Sequence, residues 1–139
     1  MIWFKEYTLE QVNARGKNTM AEHLNIVVDE LGPNFLKGRM PVDHRTVQPL
    51  GLLHGGASAA FAETLASIGA FLCINPEKEY CVGLEINANH IAGVKSGEVV
   101  GLARPLHRGR STQVWDIHIT QETKLVCVSR LTMAVIAKK

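Results

Sequence analysis

His54-Gly-Gly-Ala-Ser-Ala-Ala-Phe61-Ala-Glu63-Thr-Leu65-Ala-Ser67-Ile68-Gly-Ala-Phe-Leu72-Cys73 is the one stretch of this chain with the length and spacing of a long helix. At 1.5 Å per residue it extends about 30 Å. Phe61, Leu65, Ile68 and Leu72 recur at 4-3-4 spacing and form an apolar stripe able to pack on a sheet. The opposite face carries Gly56, Ala59, Ala60, Glu63, Ala66, Ser67 and Ala70. Glu63 is the only charged residue between His54 and Asn75. Most glutamates point to water, but a solvated face normally carries several lysines and glutamates. A single glutamate among alanine, glycine and serine fits a covered functional site, where small neighbours let a ligand or second backbone come close.

The rest of the chain supplies a sheet for this helix. Thr8 can cap a short helix through Asn13, and Thr19-x-x-Glu22 reads as a capping box opening another. Residues 25–31 and 35–42 read as strands joined by the turn Gly32-Pro33-Asn34, and residues 43–53 as a loop. After a polar break at 75–79 come four runs rich in β-branched residues, at 80–91, 98–106, 113–121 and 125–136. The order β-β-α-β-β-β-β predicts one α+β domain spanning residues 1–139, with sequential strands as antiparallel neighbours.

Composition narrows the function classes. A net charge of +2 is too weak for bulk attraction to nucleic acid. The N-terminal MIWFKEY lacks a basic segment followed by an apolar one, and the longest apolar region is interrupted by Glu63, so no leader or membrane span is expected and the location read is cytoplasmic. Cys73, Cys81 and Cys127 are odd in number and form no CxxC, so neither a disulfide framework nor a metal site is predicted. No cofactor is called for.

Two further features bear on chemistry. Leu53-His54-Gly55-Gly56 puts two glycines where loop meets helix. A helix N-terminus offers unpaired N–H groups and partial positive charge, and glycine admits an acyl oxygen close to them. That is the make-up of an oxyanion hole, although the same glycines serve a tight turn equally well and His54 can simply fill a hydrogen-bonding niche. His107-Arg108-Gly109-Arg110-Ser111 lies between two strands, where the arginines could hold phosphates or be an ordinary basic hairpin.

Together these residues carry a resemblance. The run from Gln48 through His54-Gly55-Gly56 to Glu63-Thr64 resembles the signature of hotdog thioesterases of the phenylacetate-pathway type, including the 4-hydroxybenzoyl-CoA thioesterase group. Met1-Ile-Trp, Asn18-Thr-Met, Met40-Pro-Val-Asp, Glu85-Ile-Asn-Ala and Pro105-Leu-His-x-Gly-Arg110 extend it over almost the whole chain. Within that family the chain is similar to the 1,4-dihydroxy-2-naphthoyl-CoA thioesterases of menaquinone synthesis and to a sister group that clears wrong aryl groups from a siderophore carrier protein. It departs from these relatives at His90-Ile91-Ala92-Gly93, where they have His-His-Arg-Pro.

The resemblance implies a curved antiparallel sheet wrapped around the long helix, in homodimers that pair into homotetramers. It implies hydrolysis of an acyl-CoA or an acylated carrier protein, with an aromatic acyl group. Glu63 is then the nucleophile or general base, and the Gly55 N–H polarises the carbonyl. Gln48 and His54 assist near the carbonyl and leaving group, and Ser67 places water or the acyl group. Gly83, His90, His107, Arg108, Gly109, Arg110 and Ser111 fall where the family contacts acyl-CoA. Gly55 and Glu63 are about 12 Å apart along one helix, so a site using both needs two chains. Two rivals share the fold: an acyl-CoA dehydratase or hydratase, which would lean on His54, and a non-catalytic acyl-CoA sensor. Sensors usually carry a DNA-binding helical module, for which the residues before Asn25 leave no room.

Overall fold

The computed structural model covers residues 1–139. Two short helices, α1 (Leu9–Ala14) and α2 (Met20–His23), precede the hairpin of β1 (Val27–Leu31) and β2 (Leu36–Pro41). The long helix α3 (Gly55–Leu72) follows, and then β3 (Glu79–His90), β4 (Glu98–Arg108), β5 (Thr112–Gln121) and β6 (Lys124–Ala137). All six strands join in one antiparallel sheet of order β1-β2-β4-β5-β6-β3.

The predicted elements are all present, but the pairing rule fails on both sides of β3, which pairs with neither β2 nor β4. β3 pairs with β6 at the far edge, and β2 pairs with β4. The helix is the reason. At 18 residues, α3 is about 27 Å long, enough to cross the ~24 Å that five strand spacings occupy. It packs on β2, β4, β5, β6 and β3, and hands the chain to the edge opposite the first hairpin.

The helix also lies rotated from the expected orientation. Ser58, Phe61, Ala62, Leu65, Ala66, Gly69, Ala70 and Leu72 are its buried residues. At 100° per residue that face is centred roughly 60° from the stripe of Phe61, Leu65, Ile68 and Leu72. Ala66 and Ala70, placed by sequence on the open side, are fully buried. Ile68, placed in the core, is only half-buried and lines a groove. Small residues set this orientation because they let the helix axis approach the sheet. A Cβ on Gly69 would stand 2.6 Å from the Trp115 ring. On the sheet, Gly38 and Gly101 are register partners, and Cβ atoms there would stand 2.7 and 2.5 Å from the Leu65 methyls. Leu65 therefore sits in a glycine seat and is fully buried, contributing about 1.5–3 kcal/mol by that burial.

The N-terminal caps differ in kind. Thr8 and Gln11 form the reciprocal capping box. Thr19 caps through the Ala21 N–H at 3.2 Å, but Glu22 reaches back to the Asn18 N–H rather than to Thr19, so the predicted box there is half made. No helix is long and apolar enough to cross a membrane.

Candidate active site

Half of the α3 surface faces away from the sheet. There Gly56, Ala59, Ala60, Glu63 and Ser67, with β3 alongside, border a groove of about 680 Å³. Glu63 lies against the β3 backbone, where a Cβ on Gly83 would be 2.5 Å from its Oε1. No lysine, arginine or histidine comes within ion-pair distance of the Glu63 carboxylate. One turn further on, the Ser67 hydroxyl lies 3.7 Å from the Met133 sulfur. Cys81 borders the same groove. Burial pushes its thiol up to about 11, with Glu79 and Cys73 adding to the shift. At neutral pH it is a thiol and a poor nucleophile, which leaves Glu63 as the only carboxylate bordering the groove.

A second, smaller cavity of about 300 Å³ opens at the N-terminal end of α3, bordered by Gln48, Gly55, Ser58 and His90. The loop before the helix is pinned by Leu53 N–H to Val94 O at 2.7 Å and His54 N–H to Thr46 O at 2.8 Å. His54 is the N-cap: its Nδ1 accepts from the Gly56 N–H at 2.8 Å. A neutral ring that accepts at Nδ1 carries its proton on Nε2. The Ala57 and Ser58 N–H groups both reach His54 O, at 3.0 and 3.1 Å. Of the four orphan donors at this helix start, only the Gly55 N–H finds no acceptor in the chain. A Cβ on Gly55 would stand 2.7 Å from His90 Nε2, so glycine is what lets the imidazole close over this position. Gln48 is folded into the turn that ends at Gly51, its side-chain oxygen accepting from the Leu50 N–H.

The residues named from sequence thus divide between two places. Glu63, Ser67 and Gly83 share the large groove, and Gln48, Gly55 and His90 share the small cavity. His54 stands between them as the helix cap. The segment His107 to Ser111 borders neither cavity. Its hairpin is closed by Gly109 N–H to Thr112 O at 2.8 Å. Arg108 Nη1 donates to Ile2 O at 3.1 Å, tying β4 to the N-terminal segment, whereas Arg110 is exposed. Sequence reading missed Arg15, Met20 and Phe71, which border the groove together with Glu63. No local motif marks them, because α1, α2 and α3 meet there only through the tertiary fold.

Comparison with known proteins gives a consistent result. The thioesterase superfamily model matches residues 50–128. The chain is 47% identical to the 1,4-dihydroxy-2-naphthoyl-CoA hydrolase of Escherichia coli, over 98% of this chain and 100% of that protein. It is 49% identical to the proofreading thioesterase EntH of Cronobacter sakazakii, over 98% of this chain and 99% of that one. A solved thioesterase variant from Pseudomonas aeruginosa matches with a TM-score of 0.97 at 46% identity, covering 99% of this chain and 100% of that chain.

Proposed function

The chain belongs to the thioesterase superfamily and has its hotdog fold, and from that premise we propose that it hydrolyses aromatic acyl-CoA thioesters at sites shared between two copies of the chain. It is an enzyme of the thioester-hydrolase class. In our reading Glu63 attacks the thioester carbonyl or deprotonates the attacking water. The unpaired Gly55 N–H of a second copy stabilises the oxyanion. Gln48 and His54 flank the carbonyl and leaving group, and Ser67 orients water or the acyl group. When the tetrahedral intermediate collapses the C–S bond breaks and CoA leaves as the thiolate. On the water route Glu63 returns to it the proton taken from water; on the direct route the thiolate takes its proton from solvent while water hydrolyses the mixed anhydride left on Glu63. The relative that acts on 1,4-dihydroxy-2-naphthoyl-CoA and the groove of about 680 Å³ support a flat ring as the acyl group. A role in menaquinone synthesis, activity on an acylated carrier protein and a homotetramer follow as extensions of the same reading.

One observation carries the shared site: within one chain, Glu63 and the free Gly55 N–H open into different cavities. They are separated by about 12 Å of helix, while donor and nucleophile must both come within roughly 3 Å of one thioester group. Two antiparallel α3 helices related by a two-fold axis bring them together, and give two equivalent sites per dimer.

The test mixes two inactive proteins under subunit exchange, Glu63→Gln and Gly55→Pro. Proline removes the N–H yet is tolerated in the first helical turn, and the nearest atoms to a Cβ there belong to the exposed His90 imidazole. Random reassociation restores about a quarter of wild-type activity, since half the dimers are mixed and each holds one intact site. Activity is read with benzoyl-CoA and acetyl-CoA, and the aryl ester gives the higher kcat/KM. If both variants are folded, exchange is verified by mass, and no activity returns, then the shared site is wrong. A higher kcat/KM for acetyl-CoA removes the aryl preference.

A further inference from the structure

The groove that holds Glu63 also holds an arginine without a carboxylate. Arg15 is the C-cap of α1, and its guanidinium carbon lies 3.4 Å from the centroid of the Phe71 ring. Arg15 and Phe71 both border the groove. Arg39 and Arg45 each pair with an aspartate, at 2.9 and 2.6 Å, but no Asp or Glu comes within ion-pair distance of Arg15. The neighbouring titratable group is Tyr7, whose hydroxyl is buried with no hydrogen-bond partner. Burial pushes the Tyr7 pKa up, so it stays neutral and supplies no counter-charge. Arg15 is itself exposed over much of its surface, and burial of the part covered by the groove wall lowers its pKa.

Position and geometry specify what would complete this cation. Glu63, Ser67 and Phe71 follow one another at four-residue steps along one line of α3, which sets Phe71 about 12 Å beyond Glu63. Ile68, Val82 and Met133 border the same groove and give it apolar wall. Phe71 covers the flat face of the guanidinium and leaves its N–H edge as the free surface, the edge that meets a carboxylate in two parallel hydrogen bonds. Taking the Glu63 groove as the place where the thioester is cleaved, we propose that Arg15 is a specificity residue selecting acyl groups with an apolar body and an anionic far end, such as a carboxylate on a ring or chain.

The test uses matched thioesters: benzoyl against 4-carboxybenzoyl, and hexanoyl against its ω-carboxy counterpart, each as the CoA and the N-acetylcysteamine ester. Arg15→Met keeps an aliphatic stem on Phe71 and removes the charge. It lowers the ratio of kcat/KM for each carboxylated ester to that for its plain partner by about tenfold to a hundredfold, in both series; Arg15→Lys recovers part of the loss. Equal losses for both members of each pair would make Arg15 a packing residue and overturn the proposal. A loss confined to CoA esters, whatever the acyl group, would assign Arg15 to the nucleotide phosphates and overturn it too. Glu63→Gln is run alongside: wild-type turnover in that variant removes the premise, whereas an inactive Glu63→Gln with a flat carboxylate preference removes the Arg15 proposal alone.

Discussion

The two faces of α3 are built from the same small residues to opposite ends. Toward the sheet, Ala62, Ala66, Gly69 and Ala70 are buried, and Gly69 lies so close to Trp115 that a Cβ would collide with the ring. Away from it, Gly56, Ala59, Ala60 and Ser67 border an open groove. Small side chains shorten the distance to whatever lies opposite. Where a sheet lies opposite, the result is a tight core; where none does, the result is a space a substrate can fill. The difference between the faces therefore resides in their partners, and Glu63 is the one residue on α3 that declares it.

The sharpest test of this contrast is Glu63→Gln. The carboxylate has no ion-pair partner in the chain, so its loss leaves no buried charge behind. We expect kcat to fall by on the order of 10³ or more, with a denaturation midpoint close to wild type. Near-normal turnover of benzoyl-CoA would show that the groove face holds no reacting group.

The second test fills each face in turn. On the sheet side, Gly101→Val drives a side chain into Leu65 and Phe61, with the new Cβ 2.5 Å from a Leu65 methyl. Leu65 and Phe61 are both fully buried and cannot swing aside. The cost is about 1–3 kcal/mol of stability, read by urea denaturation, with turnover per folded molecule retained. On the groove side, Ala60→Leu adds volume to a cavity rather than to a packed core, so it costs less folding stability than Gly101→Val but raises KM for bulky aryl esters. If Ala60→Leu proves the more destabilising of the two, the groove face is a core face covered by something else.

These faces mark how far the sequence could be read. The strands were legible because β-branched residues cluster between turn signals, and α3 because its length has no rival in the chain. Strand order was not legible: β3 reaches the edge beside β6 because of where a helix about 27 Å long sets the chain down, which no local pattern encodes. The rotation of α3 was missed because hydropathy weights Phe61, Ile68 and Leu72 by size, while the sheet is approached most closely through Gly69. Glu63 stood out as a lone charge. Arg15 did not, since only folding brings α1 over Phe71. Nor did the sequence show that Arg108 ties β4 to the N-terminal segment through Ile2 O.

The smallest expected effect touches neither face but the loop that leads into α3 and so fixes which residues fall on each. Asp43 receives three hydrogen bonds from Arg45, from its N–H, Nε and Nη2, at 3.0, 3.1 and 2.6 Å. The Asp43 carbonyl accepts from Thr46 N–H at 2.9 Å, and the Thr46 carbonyl holds His54 N–H at 2.8 Å. The side-chain bonds from Arg45, then its backbone bond, hold the Asp43 carboxyl down to about 2. Because the folded value lies below the unfolded one of about 3.9, the stability it contributes is present in full above about pH 4 and is lost as pH falls toward 2. Asp43→Asn removes that contribution, so the variant is less stable than wild type at pH 7 and the gap narrows as pH drops from about 4 to about 2. Thermal melts across that range check it, and a gap that stays constant down to pH 2 would show that the Asp43 charge does not anchor the loop. The loop sets the start of α3 rather than either face, so at pH 7 Asp43→Asn should shift the Gly101→Val penalty and the Ala60→Leu effect on KM together or leave both alone. A change in one without the other would mean that the two faces are oriented independently of where the helix begins.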